Sequence, residues 1–268
     1  MKIAALQMTS GADVGANLAV AGDLLAAASD AGARLAVLPE NFAFMGLADA
    51  DKRIVAEPPG RGPIQDFLAD AARRLHLWIV GGTVPLEGPG DGRVAAASLV
   101  LDDAGRPVAR YDKIHLFDVD IPGREERYLE SANIAPGREP VVVDTPAGRL
   151  GLTVCYDVRF PELFRRLSAA GAQLLTVPSA FTAPTGRAHW ETLLRARAIE
   201  NLCYVIAPAQ AGIHQSGRET YGDTLVVDYW GRVLGRKPRG CGVVVCDIDL
   251  ERQAEARTSF PALRHRVM

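Results

Sequence analysis

Short apolar runs alternate with helix-like segments along this chain, and this alternation limits the possible folds more than any other feature of the sequence. Residues 2–8 are apolar enough for a buried strand, residues 17–31 form an Ala/Leu-rich helical segment, and residues 34–38 form a second strand. A strand, a helix and a strand in this order favour parallel strands with a right-handed crossover. Residues 94–101 and 107–113 then flank a turn and predict an antiparallel hairpin. The first half therefore predicts a mixed sheet.

The second half of the chain repeats this pattern. Its predicted elements, in chain order, are a strand at 150–155, a helix at 161–170, a strand at 173–177, a helix at 187–201, and strands at 203–209, 224–227, 232–234 and 242–248. Parallel units followed by antiparallel strands thus occur twice, so we predict an α/β fold in which two mixed sheets pack together with helices outside. No Ser- or Pro-rich linker divides the chain, and a single domain over residues 1–268 is expected.

Composition excludes several classes of partner. The formal net charge of the 268 residues is -2, and the charges are spread along the chain, so no surface for nucleic acid or anionic lipid is expected. No apolar stretch has the length of a signal peptide or a membrane span, which predicts a cytoplasmic protein without membrane contact. The four cysteines form no C-x-x-C pair, so neither a zinc site nor a disulfide framework is indicated. Small molecules are the expected partners.

Cys155 lies at a corner between a predicted strand and a predicted helix. Residues 150–155 are apolar and β-branched, and Pro161 has a position typical of the first turn of a helix. Such a corner presents a thiol at the carboxyl end of a sheet, with backbone N–H groups able to face a developing negative charge. Cys155 is therefore a candidate nucleophile. The alternative is core packing, because free cysteine is among the most buried residue types.

Other polar residues also follow predicted strands or loops. Glu40 comes just after the strand at 34–38, and Lys113 ends the hairpin. Glu130 lies in an irregular stretch at 113–137, and long irregular loops in compact domains are usually functional. Because the carboxyl ends of parallel strands meet at one edge of a sheet, these side chains are expected to converge there.

These residue types match the needs of acyl transfer. A cysteine needs a base to form a thiolate, the oxyanion needs a cation or N–H donors, and the departing amine needs a proton. Glu40, Lys113 and Cys155 supply these three functions. A Cys–His pair that uses His115 or His189 is the competing arrangement, and spacing alone allows either histidine.

Three motifs resemble those of the nitrilase superfamily, the carbon-nitrogen hydrolases. They are LPENF at residues 38–42, YDKIHLF at 111–117 and VCYDVRFPEL at 154–163. The resemblance extends over nearly the whole chain. It implies a four-layer αββα sandwich and the catalytic residues Glu40, Lys113 and Cys155, with Glu130 in support. It also implies no metal, no organic cofactor, and assembly into homodimers or larger homo-oligomers.

Within the superfamily the chain resembles the Nit-like amidases, and most of all the branch that hydrolyses deaminated glutathione. The segments that carry this resemblance are PSAF at 178–181, TG at 185–186, AHWE at 188–191, APAQ at 207–210 and YGDT at 221–224. Arg187 and Asp223 depart from the pattern, because relatives usually have proline and histidine there. These two departures bear on substrate preference.

The substrate implied by this resemblance is a small acidic amide, hydrolysed through a cysteine thioester with release of ammonia or an amine. The candidate substrate-binding residues are Tyr156, Arg159, Ser179, Phe181 and Arg218. Arg159 or Arg218 would bind a substrate carboxylate, since guanidinium matches carboxylate bidentately. For Arg159 the alternative is a structural role, in which it bonds Asp157 or neighbouring carbonyls at the turn. The alternatives are an ω-amidase acting on 2-oxo-dicarboxylic acid monoamides, an N-carbamoyl hydrolase, and an inactive scaffold or binding protein.

Two predicted helices, at 161–170 and 187–201, are expected to form a dimer interface. Trp190, Leu193 and Leu194 provide more apolar surface than one small helix face usually needs. Core packing of these three residues is the alternative interpretation.

Overall fold

The computed structural model describes residues 1–120 and 127–267. Its strands are β1 (Lys2–Gln7), β2 (Leu35–Val37), β3 (Trp78–Val80), β4 (Val84–Glu87), β5 (Val94–Leu101), β6 (Pro107–Asp112), β7 (Asp118–Asp120), β8 (Arg127–Leu129), β9 (Ile134–Ala135), β10 (Val141–Thr145), β11 (Gly148–Leu152), β12 (Leu174–Thr176), β13 (Tyr204–Ala207), β14 (Ala211–Ile213), β15 (Glu219–Tyr221), β16 (Thr224–Val227), β17 (Val233–Lys237) and β18 (Gly242–Asp247). Its α-helices are α1 (Val14–Asp30), α2 (Pro63–Leu75), α3 (Pro161–Ala169), α4 (Ala183–Asn201) and α5 (Leu250–Ser259). Short 3-10 turns span Asp49–Arg53, Glu130–Ala132, Cys155–Arg159 and Ala262–Arg264.

Two large mixed sheets organise the described part of the chain. The first has the strand order β18-β1-β2-β3-β5-β4, with β6 and β9 also paired to β5, and the second has the order β10-β11-β12-β13-β16-β17. In each sheet three neighbouring strands are parallel, β1-β2-β3 in one and β11-β12-β13 in the other, and antiparallel strands flank them. The predicted pair of mixed sheets is confirmed.

Strand β1 shows how the layers form. Ile3 and Ala5 belong to the apolar cluster that joins the two sheets, whereas Ala4 and Leu6 belong to the cluster that joins the first sheet to α1 and α2. Successive side chains of a strand point to opposite faces, so a strand that is buried on both faces is apolar throughout. Helices α3 and α4 cover the other face of the second sheet through residues such as Phe164. The result is the four-layer αββα sandwich.

Several predicted elements differ from the observed ones. Helix α4 starts at Ala183 rather than at residue 187, because Pro184 is accommodated in its first turn. The stretch 113–137, predicted to be irregular, contains β7, β8, a 3-10 turn and β9, while residues 121–126 lie outside the described residues. Five elements were not predicted: β4, β10, the two strands of the β14–β15 hairpin, and α5.

The expected role of α4 at a dimer interface is wrong for two of its residues. Trp190 and Leu194 are 1% and 0% exposed, and both belong to the core. The Trp190 ring packs against the Phe181 ring with a centroid distance of 4.9 Å, and Trp190 Nε1 donates to the Asp223 carbonyl at 2.8 Å. Leu193 is partly buried against the same core. The apolar spacing of α4 therefore reports packing on the second sheet.

Candidate active site

Cys155 occupies a sharp turn directly after β11. It begins the 3-10 turn Cys155–Arg159 with a φ of 47°, in the left-handed region that non-glycine residues seldom adopt. The Cys155 N–H donates to the Pro178 carbonyl at 2.9 Å, and the Val154 N–H donates to the Asp157 carboxylate at 2.8 Å. Backbone in this region persists where its surroundings hold it, which is common at functional sites. The corner predicted for the thiol is present.

Lys113 forms ion pairs with two carboxylates near this turn, those of Glu40 and Glu130. Its side chain is 2% exposed, and Nζ donates to Glu40 Oε1 at 2.8 Å and to both Glu130 oxygens at 2.9 Å. A buried ammonium requires such pairing, because an unpaired charge away from water is costly. Lys113 follows β6, and Glu130 begins a 3-10 turn in the loop beyond it.

Backbone donors fix both carboxylates. Glu40 Oε2 accepts from the Ala180 N–H at 2.8 Å, and Glu130 Oε2 accepts from the Phe117 N–H at 2.7 Å. Gln210 Nε2 also donates to the Glu40 carbonyl at 3.0 Å. Glu40 therefore follows a strand of the first sheet, but a backbone N–H in a loop of the second sheet holds its carboxylate.

Electrostatics assign distinct protonation states to these groups. Burial raises the pKa of the Cys155 thiol, the nearby Glu40 charge raises it further, and the opposing effect of Lys113 is too small to reverse this. Burial also raises the pKa of Glu40, but the charge and hydrogen bond of Lys113 outweigh it and hold that pKa below its usual range. Burial lowers the pKa of Lys113, but Glu130 and Glu40 together raise it well above normal. A neutral thiol thus lies beside an ionised carboxylate, the arrangement that general-base activation needs.

Asp157 connects the Cys155 turn to the chain around Lys113. Its carboxylate is fully buried and accepts from Tyr111 Oη at 2.7 Å and from the His115 N–H at 3.1 Å. His115 Nδ1 lies 2.7 Å from the same carboxylate. Since Tyr111 and His115 flank Lys113 in sequence, Asp157 fixes the position of the lysine relative to the thiol.

The competing Cys–His arrangement is not supported by this geometry. The His115 ring pairs with Asp157 and stacks on Phe160 with a centroid distance of 3.7 Å. His189 is exposed, and its Nδ1 lies 3.2 Å from Arg159 Nη1. Neither histidine lines the cavity that contains Cys155.

That cavity opens to solvent. Its lining includes the four predicted catalytic residues and the predicted substrate-binding residues Tyr156, Phe181 and Arg218, together with Asn41, Asp49, Lys52, Phe117, Tyr128, Ala180, Thr182 and Thr185. Arg218 Nη2 donates to the Ala180 carbonyl at 2.9 Å, and its guanidinium lies 5.0 Å from the centroid of the Tyr128 ring.

Two predicted substrate-binding side chains lie behind the cavity wall. Ser179 is fully buried, and its hydroxyl donates to the Val177 carbonyl at 3.0 Å. The Arg159 guanidinium lies 5.2 Å from the centroid of the Phe181 ring and 5.8 Å from that of Tyr156, so it supports two lining aromatics. Neither lines the cavity, and direct contact of Ser179 or Arg159 with substrate is not supported.

Arg187 and Asp223, the two departures noted in the sequence, line a different groove. The Asp223 carboxylate accepts from Arg236 Nε at 2.6 Å and from its Nη2 at 2.8 Å. Burial raises the pKa of Asp223 in spite of this partner. Asp223 has a φ of 62°, so it forms a turn and an ion pair at the same position.

Sequence reasoning missed some residues of the cavity. Lys52 lies in a short 3-10 turn, and Asn41 adopts a φ of 57° directly after Glu40. Lys52 gives no signal of its own, because the turn has no apolar periodicity and follows no strand. Asn41 does give a sequence signal, because asparagine shortly after a strand end is among the few residues that tolerate the left-handed backbone region.

Comparison with known proteins identifies the family of this chain. The chain matches the Carbon-nitrogen hydrolase family over residues 2–258, and it belongs to that family. It is 43% identical to a deaminated glutathione amidase of Yersinia enterocolitica over 98% of this chain and 92% of the relative. Nit3 of Saccharomyces cerevisiae, described as a member of branch 10 of the nitrilase superfamily, has a TM-score of 0.89 and 30% identity over 100% of this chain and 97% of that one.

A third relative bears on the nucleophile. It is a glutamate-to-glutamine variant of the amidase from Nesterenkonia sp. AN1, with a TM-score of 0.80 and 30% identity over 97% of this chain and 98% of that one. Its structure shows the product of Michael addition of acrylamide at the active-site cysteine. The present chain is thus a carbon-nitrogen hydrolase acting on amides, with the nitrilase fold. Among the described residues, no helix is long and apolar enough to cross a membrane.

Proposed function

We propose that this protein is an amidase that hydrolyses a small acidic amide of the deaminated-glutathione type through a thioester on Cys155. The observation that carries this proposal is the position of Glu40, Lys113 and Glu130 around a buried thiol in one solvent-accessible cavity. The 43% identity to a relative named deaminated glutathione amidase supports the choice of substrate.

The proposed reaction begins with proton transfer from the Cys155 thiol to Glu40 as sulfur attacks the amide carbonyl. Lys113 and the Tyr156 N–H stabilise the oxyanion, because Tyr156 follows Cys155 in its turn and Lys113 lines the same cavity. Collapse of the tetrahedral intermediate breaks the C–N bond, and Glu40 returns its proton to the departing nitrogen. The products of this half are a thioester and an amine or ammonia.

Water completes the cycle. Glu40 takes a proton from a water molecule that attacks the thioester, and the C–S bond breaks to release the carboxylic acid. The proton returns to the Cys155 sulfur. Glu130 takes no proton in this scheme, and its two hydrogen bonds keep Lys113 in place while Glu40 changes its charge.

Substrate recognition is proposed to involve the aromatic wall and one arginine. Phe181 and Tyr156 line the cavity, and Arg218 lies at its rim on the turn between β14 and β15. A guanidinium with free N–H groups binds a carboxylate bidentately, so Arg218 is the proposed ligand for an acidic group of the substrate.

We further propose that the 268 residues act as one catalytic domain in a cytoplasmic homodimer. All four cysteines are free, which suits a reducing compartment. The dimer is implied by the superfamily resemblance. Size-exclusion chromatography with light scattering tests it, and a monomer at micromolar concentration would contradict it.

The substrate proposal is tested by ammonia and amine release from a panel of amides, carbamoyl compounds and nitriles. We expect the highest kcat/KM with amides that carry a carboxylate. The matched control is Cys155→Ala, which should fold and show no turnover. Preference for a nitrile or a carbamoyl compound would contradict the proposed substrate class.

A further inference from the structure

Lys52 is a cation at the mouth of the active-site cavity that forms no close ion pair or hydrogen bond with the described residues. It lines the cavity that contains Cys155 and also the larger groove outside it. Among the described residues, no carboxylate lies within ion-pair distance of Lys52 Nζ and no acceptor within hydrogen-bond distance. Lys113, in the same cavity, has its charge balanced by two carboxylates. The Lys52 charge helps to lower the pKa of Glu40 at longer range, while its Nζ makes no close contact and is available to a ligand.

Arg218 is the second cation at this junction. It also lines both the cavity and the outer groove, and one of its nitrogens donates to the Ala180 carbonyl. Its Nε is buried and has no hydrogen-bond partner among the described residues. A buried donor without a partner costs free energy, which a bound acceptor recovers.

The acidic residues nearby leave these charges available. Asp49 lines both spaces and Glu219 lines the outer groove, and both are exposed to solvent. Neither forms an ion pair with Lys52 or Arg218 within the described ranges. Solvent screens exposed carboxylates, so the junction attracts anions.

The two cations lie on different sides of the path to Cys155. Lys52 also lines a small inner cavity with Phe44 and Thr83, on the side of the first sheet. Arg218 belongs to the β14–β15 turn, whose neighbours Ser216 and Gly217 line only the outer groove. During acyl transfer the acyl group stays in the cavity while the amine leaves toward solvent.

We propose that Lys52 is a specificity-determining residue that binds a carboxylate on the acyl part of the substrate, while Arg218 binds a carboxylate on the leaving amine. This inference rests on the proposed amidase function. The substrate class is then an amide with one carboxylate on each side of the scissile C–N bond. A single cation would select only one of these groups.

The test uses four amides of similar length: butyramide, succinamate, N-butyrylglycine and N-succinylglycine. Lys52→Met should lower kcat/KM for succinamate at least about tenfold more than for butyramide, because a charged hydrogen bond is lost with only one of them. Arg218→Leu should show the same discrimination between N-butyrylglycine and butyramide. Lys237→Met is the matched control, since Lys237 lies on β17 and lines neither the active-site cavity nor the outer groove. It should leave the ratios of kcat/KM between these amides unchanged.

A binding measurement separates this inference from the proposed function. Succinate should slow alkylation of Cys155 by iodoacetamide in the wild type and in Lys237→Met, and at least about tenfold more succinate should be needed in Lys52→Met. In Lys52→Met, an equal loss of kcat/KM on all four amides would overturn the role of Lys52. Unchanged protection by succinate in that variant would overturn it too. A wild type that is protected by succinate but hydrolyses no amide would instead overturn the amidase function.

Discussion

In the proposed mechanism, Glu40 carries two tasks that only an ionised carboxylate can perform. It must accept the thiol proton, and it must balance the charge of Lys113, from which it lies 2.8 Å. The lysine is also what keeps Glu40 ionised in a buried site, since burial alone would raise its pKa. Base and oxyanion donor are therefore coupled, and a change in either alters the protonation of the other.

The pH dependence of kcat/KM with a neutral amide follows from these directions. Glu40 acts in its ionised form, and its pKa lies below the ordinary value of 4.5, so activity should fall only when the pH drops below that value. Lys113 stays protonated through the alkaline range because its pKa is raised. Rates measured from pH 4 to 9, with tryptophan fluorescence to monitor folding, check this. An acid limb near neutral pH in folded protein would contradict it.

The residues of the site differ in how well the sequence predicts them. Glu40 and Cys155 follow strands whose apolar runs are plain, so the sequence places each at a strand end. Lys113 follows the antiparallel strand β6, and the convergence of all three depends on the packing of the two sheets. Ser179 has the same kind of position, yet its hydroxyl turns inward to Val177. Strand spacing gives the position of a backbone but not the rotamer of a side chain, and Lys52 has no strand to mark it.

At the scale of elements, Asp157 joins the turn after β11 to the end of β6. It accepts hydrogen bonds from Tyr111, His115 and Val154, all of them buried or half-buried. A carboxylate with only acceptor sites suits this environment of donors. The Cys155 turn and the Lys113 loop are thus one unit although they belong to different sheets.

Asp157→Asn should weaken both stability and catalysis. The asparagine side chain would place an NH₂ group where the carboxylate now accepts hydrogen bonds, so NH₂ would face other donors. An unsatisfied buried polar group costs about 1–3 kcal/mol. We expect a lower free energy of unfolding in urea and a fall in kcat of about tenfold or more, with KM changed less. Asp112→Asn is the matched control, because the Asp112 carboxylate pairs with Arg110 near the surface. Equal effects of the two substitutions would show that Asp157 has no special role.

Helix α4 shows where periodicity alone misleads. Its apolar residues have helical spacing, but this spacing cannot distinguish a face that packs on a sheet from one that packs on another subunit. The structure assigns Trp190 and Leu194 to the core. Likewise, β14 and β15 have three residues each and little apolar alternation, so the hairpin that carries Arg218 was not predictable.

Leu194→Arg is expected to unfold the protein. Leu194 is 0% exposed, and a buried unpaired guanidinium costs several kcal/mol, a large part of the stability of a domain. Ile199→Arg, on the same helix at a side chain 50% exposed, should keep the fold. Thermal unfolding followed by circular dichroism compares them. A soluble, cooperatively melting Leu194→Arg protein would contradict the core assignment.

At the scale of the whole molecule, the active site depends on the packing of the two sheets. Glu40 and Lys113 follow strands of the first sheet, whereas Cys155 and Ala180 follow strands of the second. The hydrogen bond from the Ala180 N–H to Glu40 crosses between them. The αββα sandwich thus brings the proposed base and the proposed nucleophile together from different halves of the chain, and neither half holds the complete set.

Direct detection of the acyl-enzyme decides whether this set works as proposed. The wild type, mixed with an amide substrate and quenched in acid within milliseconds, should show the acyl mass on the peptide that contains Cys155. Cys155→Ala and Glu40→Gln should fold but show no adduct, because one lacks the nucleophile and the other the base. Turnover without an adduct, a rapid adduct in Glu40→Gln, or activity of Cys155→Ala within tenfold of the wild type would contradict the mechanism.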